Sequence, residues 1–523
     1  MEDQLVKTVP ESTTETSQEF RSQVGHISRH SGVFFAGTIF TAGLGYLFKV
    51  YLARVLGVEA LGIYALGFTF IGFLGAFNSL GLVESAVRFA AVYKAADKRE
   101  QLRSLLWRGG SVLVLANILF AGVFLKIGGP VARHFYHSLL LADYIPWFAA
   151  LLLIGVVSTF YGRILAGYSA VGRRTIITNF VGSPAITLLA MGFIGAGWGL
   201  RGYLLGQVVG SILIAILLLA TVWGMTPKNA RYVVPWPPPL PREVWSFSAS
   251  AMGVIFLEFV MAQVDKITLG FYLGPKSVGV YSVAWAMVAY EALILNSVNQ
   301  VFSPIIADLH TRKQFPMLKR LYRSLTKWVL GLTLPLGIVM IVDARPLMSI
   351  FGAAFERGWP LLIIGTVGQL VNCGVGSVGL LLLMSGNQNR LLKVQAVMAG
   401  VMIVASIGLI PLWGIIGAAV AAAITNVGMN AWNLLSVRKI LGLVPFSPGF
   451  FRLLPPSLVS GVLALLVKHY AYVIGHNWVL VGTTLIVAYA AFVVSTLITG
   501  LDADDRLITG AIWSKLSGSV AKG

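Results

Sequence analysis

Charged side chains inside long apolar runs are the first candidates for chemistry in this chain. Lys49, Glu258, Asp265, Lys266 and Glu291 each stand in a stretch otherwise dominated by Leu, Ile, Val, Phe, Ala and Gly. An ionised group at mid-membrane costs about 2.5–3.5 kcal/mol on insertion scales, so each needs a partner, an escape to the interface or a water-lined space. Glu258 and Asp265 are seven residues apart, which puts them on one helical stripe about 10 Å apart along the axis. Lys266 lies on an adjacent face. One reading is a carboxylate pair that couples transport to a proton or a sodium ion, with Glu291 sharing the ion. The other is that Asp265 and Lys266 sit near the end of their helix, snorkel and neutralise locally. Glu84 and Arg88, four apart, suggest a salt-bridged gate or simply the start of a surface helix.

What must position these groups is a repeat. Leu56-Gly57-Val58-Glu59-Ala60-Leu61-Gly62-Ile63-Tyr64-Ala65-Leu66 returns as Leu273-Gly274-Pro275-Lys276-Ser277-Val278-Gly279-Val280-Tyr281-Ser282-Val283, an offset of 217 positions from Gly57 to Gly274. The register holds without a gap: Lys49 meets Lys266, Ala90 meets Ala307 and Arg103 meets Arg320. Trp198-Gly199-Leu200-Arg201-Gly202 likewise echoes Trp413-Gly414-Ile415-Ile416-Gly417. One helical bundle is written twice, which in a membrane protein points to a transporter. Two lobes in the same orientation imply a pseudo-twofold axis along the membrane normal, and the space between them is the natural place for a substrate. Lys49 and Lys266 would then sit at similar depth across that space; the alternative is that both are interfacial anchors.

Composition places the chain in a membrane. Of 523 residues, 57% are hydrophobic and only 11% charged, with a mean hydropathy of +0.82, far more apolar than a soluble domain. The fold class is all-α and polytopic, since the short alternating strands of a transmembrane barrel are absent. Predicted spans cover Gly32–Leu52, Gly62–Leu82, Ser111–Ile127, Ile145–Leu165, Ile176–Ala196 and Tyr203–Trp223 in the first half, residues 31–225. A Pro-rich linker follows at 226–243. The second half, 244–440, carries Val244–Phe271, Gly279–Ile305, Trp328–Ile341, Trp359–Met384, Leu391–Leu412 and Ile415–Leu435. A further pair, Leu453–Ile474 and Trp478–Thr499 within 441–500, brings the count to about fourteen. Pro184, Pro304 and Pro335 mark bends within spans.

The net charge of +19 reflects topology better than it does nucleic acid. With the N-terminus in the cytoplasm, Lys and Arg crowd every inside connection and are sparse outside, so the alternation supports the span count. Both termini are expected in the cytoplasm, as polar tails at 1–30 and 501–523; the first lacks the apolar core of a signal peptide. The basic stretches Arg99–Arg108 and Lys319–Lys327 are expected to lie along anionic lipid head groups. The single cysteine, Cys373, offers neither a disulfide framework nor a thiolate metal site. The amides Asn296, Asn299, Gln300, Gln369, Asn372, Asn426, Asn430 and Asn433 read chiefly as ties between helices.

Asp265-Lys266-Ile267-Thr268-Leu269-Gly270-Phe271-Tyr272-Leu273-Gly274 with Val278-Gly279-Val280-Tyr281-Ser282-Val283-Ala284 resembles the signature region of polysaccharide exporters. Those exporters form a branch of the multidrug, oligosaccharidyl-lipid and polysaccharide flippase superfamily. Leu52–Gly57, Phe351–Phe355 and Leu382–Gly386 resemble it too, and the likeness runs from about Ser28 to Thr499. The resemblance implies a Wzx-type flippase that moves a polyprenyl-diphosphate-linked oligosaccharide from the inner to the outer leaflet of the cytoplasmic membrane by alternating access, for cell-surface polysaccharide biosynthesis. Its implied partners are that lipid-linked oligosaccharide, membrane lipids and other polysaccharide-assembly proteins, with no cofactor beyond a coupled Na+ or H+. Under it, Lys49, Lys266 and Arg54 are the candidates to hold the diphosphate.

Two other classes compete. A drug or cation antiporter of the same superfamily would want acidic groups rather than lysines facing its cavity. A membrane sugar polymerase or ligase would need a sizeable outer loop, and Gly128–Tyr144, with Arg133, His134, Tyr136, His137 and Asp143, is short. No metal-spaced cluster, phosphate-binding glycine loop or nucleophile motif is evident.

Overall fold

The structure, a computed structural model, describes residues 32–227, 238–470, 475–500, 502 and 504–506. The predicted tail at 1–30, most of the Pro-rich linker and the chain beyond 506 lie outside the described residues. Every described element is helical. Those of seven residues or more are, in chain order, α1 (Gly32–Asn78), α2 (Leu82–Ala95), α3 (Arg99–His134), α4 (Leu139–Gly167), α5 (Val171–Met225), α6 (Arg242–Thr311) and α7 (Phe315–Val342). There follow α8 (Trp359–Val375), α9 (Val378–Met384), α10 (Gln388–Trp413), α11 (Ile415–Leu441), α12 (Leu454–His469) and α13 (Asn477–Thr499).

Among the described residues ten helices are long and apolar enough to cross a membrane. Three of these, α1, α5 and α6, are double-length and broken at glycine. The pair α8 and α9, bent by 44°, adds one more, which yields the fourteen spans expected from hydropathy. Several boundaries move. The span expected at Ser111 begins at Arg99 and the one expected at Trp328 begins at Phe315, so both basic connections are largely helical. The span predicted as continuous over Trp359–Met384 breaks at Gly376, whose φ of 73° only glycine adopts readily.

The repeat is visible in the backbone. Gly57 takes φ 81°, ψ 178° and Gly274 takes φ 72°, ψ −179°, a conformation in which a Cβ would clash. Gly199 (φ 51°, ψ −132°) and Gly414 (φ 59°, ψ −135°) form a second matched pair. After Gly199 the two limbs of α5 run antiparallel: a Cβ on Gly202, Gly206 or Gly210 would strike Phe193, Ala190 or Ile186 in turn. The α10–α11 hairpin closes in the same way, with Gly417 against Leu409.

The lobes meet along α1 and α6. A Cβ on Gly62 would collide with the carbonyl oxygen of Pro275, and one on Gly279 with that of Val58. Since Gly62 corresponds to Gly279 and Val58 to Pro275, this contact is its own image under the repeat, as a pseudo-twofold axis requires. At the other end of α1, Gly81 packs on the Ser248 carbonyl and the Ser85 hydroxyl lies 2.6 Å from that of Ser248. Between the contacts, Phe73 and Phe77 of α1 pack edge-on or tilted against Phe259 and Phe256 of α6.

Candidate functional site

A cavity of about 630 Å3 opens between α1, α5 and α6, and both lobes contribute to it. Lys49, Tyr64 and Phe68 come from α1, Tyr203 and Gln207 from α5, and Gln263, Lys266, Ser282 and Trp285 from α6. Three pairs of repeat equivalents thus line one space: Lys49 with Lys266, Ala65 with Ser282, and Phe68 with Trp285. The lysines occupy the places that the repeat predicted, opposite in chain origin and shared in cavity.

Both lysines are half-buried. The Lys266 ammonium donates to the Gln263 Oε1 at 2.9 Å, and the Thr69 hydroxyl donates to that same oxygen at 3.1 Å. Among the described residues no hydrogen bond or ion pair engages the Lys49 ammonium, and the two cations are near enough to repel each other. Two cations, neither of them in a salt bridge among the described residues, with hydroxyl and amide groups around them suit an anion bearing several oxygens. Aromatic rings line one part of the wall, where Tyr64 lies 4.8 Å from Tyr203 and 4.5 Å from Phe68, centre to centre.

Arg54 does not join this site. Its guanidinium Nε donates to the Ile350 carbonyl at 2.8 Å and its Cζ sits 5.8 Å from the Trp478 ring centre, so it ties the first lobe to the second and to the C-terminal helix pair. The reason is helical geometry: five residues turn a side chain about 140° from Lys49 and carry it about 7.5 Å along the axis.

The carboxylates are also separate from one another. Asp265 is 2% exposed; it accepts from the Tyr281 hydroxyl at 2.5 Å and from the Lys266 backbone N–H at 2.7 Å. Tyr281 in turn stacks on Trp285, with ring centres 4.9 Å apart and 17° between planes. Asp265 therefore braces the cavity wall from behind instead of facing Glu258. Glu258 is exposed and lies within electrostatic reach of Glu84 and Arg163. Glu291 is fully buried inside the second lobe, its carboxylate beside the Thr366 hydroxyl without a completed hydrogen bond. Shared stripe position placed Glu258 and Asp265 on one side of α6, but the 10 Å between them gives each its own neighbours.

The expected Glu84–Arg88 bridge is replaced by two longer-range contacts. Glu84 accepts from Arg163 of α4 at 2.8 Å, and the Arg88 guanidinium lies 5.0 Å from the centre of the Phe247 ring of α6. Gln263, Tyr203, Gln207 and Trp285 went unremarked in the sequence. For Trp285 a signal existed, because it is the 217-offset equivalent of Phe68.

Two glycine-broken, doubled helices packed about a pseudo-twofold, with a cation-lined cavity between lobes, define a two-lobed transporter bundle of the kind called the MOP superfamily. The chain belongs to the polysaccharide biosynthesis protein family, whose profile matches residues 27–310; a MatE profile matches residues 251–373. It is 24% identical over 290 residues to the probable flippase AglR of Haloferax volcanii, covering 53% of this chain and 55% of that protein. It is 22% identical over 294 residues to the teichuronic acid biosynthesis protein TuaB of Bacillus subtilis, covering 54% of this chain and 58% of that one. The chain thus spans a little over half the length of these two relatives. In fold it is similar to the lipid II flippase MurJ in an inward closed conformation, with TM-score 0.69 and 17% identity over 89% of this chain and 98% of that one. It is also similar to an inward-facing multidrug resistance MATE transporter, with TM-score 0.62 and 13% identity over 77% and 94%.

Proposed function

We propose that this protein is a flippase that carries a polyprenyl-diphosphate-linked oligosaccharide from the inner to the outer leaflet of the cytoplasmic membrane by alternating access of its two lobes. The observation that carries the proposal is the meeting of Lys49 and Lys266, equivalent residues of the two lobes, on one interlobe cavity. A diphosphate must shed water to cross hydrocarbon, and two fixed ammonium groups with Gln263 beside them replace part of that hydration. The names of the relatives, a probable flippase and a teichuronic acid biosynthesis protein, support the same substrate class. The MatE match keeps a drug or cation antiporter as the second reading; a cavity lined by lysines and by none of Glu258, Asp265 or Glu291 weighs against it.

In this reading the basic ends of the helices and both termini face the cytoplasm, and the Gly57 and Gly274 breaks face outward. Coupling to Na+ or H+ would fall on Glu258, Asp265 or Glu291 acting at separate places rather than as one site. Arg88, on Phe247, would hold the cytoplasmic ends of the lobes together, while Glu84 fixes Arg163 within the first lobe. Polysaccharide-assembly proteins would supply and remove the lipid-linked sugar. The test is reconstitution of the purified chain in liposomes that carry a polyprenyl-diphosphate-linked oligosaccharide in the inner leaflet only. Growth of the lectin-accessible fraction on the outside above that of protein-free liposomes is expected; no growth with a range of such lipids, alongside export of organic cations, would support the antiporter.

A further inference from the structure

The first four turns of α7 do not present the bare basic face that the sequence suggests. Arg320, Ser324, Lys327 and Trp328 fall on one side of the helix, and Asp502, Asp504 and Asp505, which follow α13, close over them. Asp504 accepts from the Arg320 Nε at 2.8 Å and from the Ser324 hydroxyl at 2.9 Å. Asp502 pairs with Lys327 at 2.7 Å and with Arg452 at 2.5 Å. Asp505 pairs with Lys327 at 2.6 Å and accepts from the Trp328 indole N–H at 3.0 Å. Around these pairs lies a cavity of about 340 Å3, lined also by Lys319 and Arg323. Within Lys319–Lys327, the stretch expected along lipid head groups, Arg320 and Lys327 are instead held by carboxylates of the same chain.

We propose that this pocket is a phosphate-binding site for the head group of an anionic membrane lipid, held shut by Asp502, Asp504 and Asp505 as an intramolecular occupant. Three carboxylates on two guanidinium groups, an ammonium, a hydroxyl and an indole N–H place acceptor oxygens where those of a phosphate would be satisfied. Lys327 is only 12% exposed on its side chain, so removal of the acids leaves a nearly buried cation that needs another anion. Lys327, Trp328 and Asp505 also border an apolar crevice formed with Leu453, Tyr489 and Phe492. That sets the pocket at the polar boundary of the membrane, where Trp and Lys anchors collect, and favours a lipid over a free anion. Among the described residues no such strap covers the equivalent place in the first lobe. Arg103, the equivalent of Arg320, has a buried Nε with no hydrogen-bond partner among the described residues.

The test uses the full chain in neutral nanodiscs, titrated with dioctanoyl-phosphatidylglycerol, with dioctanoyl-phosphatidylcholine and inorganic phosphate as controls. Each basic residue freed near a lipid surface is worth roughly fivefold in affinity. Against wild type, D502N/D504N/D505N is expected to bind the phosphatidylglycerol about tenfold or more tightly, in a salt-sensitive manner, with the gain abolished by adding R320Q/K327Q. D504N alone, which frees chiefly Arg320, is expected to gain a few-fold and keeps the test open should the triple variant fold poorly. Unchanged affinity in the asparagine variants, or a gain that survives R320Q/K327Q, overturns the proposal. Inorganic phosphate binding as tightly as the lipid overturns the lipid assignment.

Discussion

Replacement of the cavity lysines by glutamine is the perturbation whose size follows most directly from the structure. Each ammonium that meets a diphosphate makes a charge-assisted hydrogen bond, worth about 1.5–3 kcal/mol. Both lysines are half-buried, so solvent screening argues for the low end, about 1.5 kcal/mol. Since 1.4 kcal/mol is about tenfold in Kd, each single variant should weaken binding of a polyprenyl diphosphate about tenfold, and K49Q/K266Q about a hundredfold. The two sites act on one ligand, so a double-mutant cycle measures any departure from additivity. Lys49 should matter more than Lys266, because Lys266 already spends a hydrogen bond on Gln263. The assay is binding to purified protein in nanodiscs, paired with transport in liposomes. Wild-type binding and transport in both single variants and the double variant, at equal protein levels, would refute the reasoning.

Other consequences are equally open to measurement. Leucine at Gly62 or Gly279 drives a side chain into the facing carbonyl, so either variant should disrupt the α1–α6 contact, read as a lowered melting temperature; a wild-type melting temperature would count against the close approach. Tyr281→Phe leaves the buried Asp265 short of a donor and should destabilise the protein by about 1–3 kcal/mol; a melting temperature equal to wild type would count against the bracing role. Glu84→Arg with Arg163→Glu should recover most of the stability lost by either charge reversal, whereas E84R with R88E should not. Glu291→Gln should leave folding intact and change the dependence of transport on proton or sodium gradients if coupling passes through that residue; an unchanged dependence removes it from the coupling path.

Much of the architecture could be read from the chain because it is periodic and repeated. Apolar runs of about 20 residues mark spans whatever their partners, and the 217-residue offset carried Lys49 and Lys266 to one cavity and Gly57 and Gly274 to one backbone conformation. What could not be read depends on partners far apart in the chain. Glu84 prefers Arg163 over Arg88 because α4 brings a guanidinium within 2.8 Å, a fact of packing to which i,i+4 spacing is blind. Asp265 looked like half of an ion site, yet its carboxylate is held by Tyr281 from the second limb of the same doubled helix. The strap of Asp502, Asp504 and Asp505 acts on residues of α7 some 175 to 184 positions away, so the basic stretch before Trp328 looked bare. Arg54 could have been set apart from Lys49 by helical angle alone.

The claim beneath all of this is that Lys49 and Lys266 face one watery space that an anionic lipid head enters. Single cysteines at the two positions, in a Cys373→Ser background, can be challenged with a membrane-impermeant, negatively charged thiosulfonate in liposomes, with and without polyprenyl diphosphate. The account predicts labelling at both positions and protection of each by the lipid. Failure of both to label, with reaction only toward a membrane-soluble maleimide, would place the lysines against lipid and contradict it.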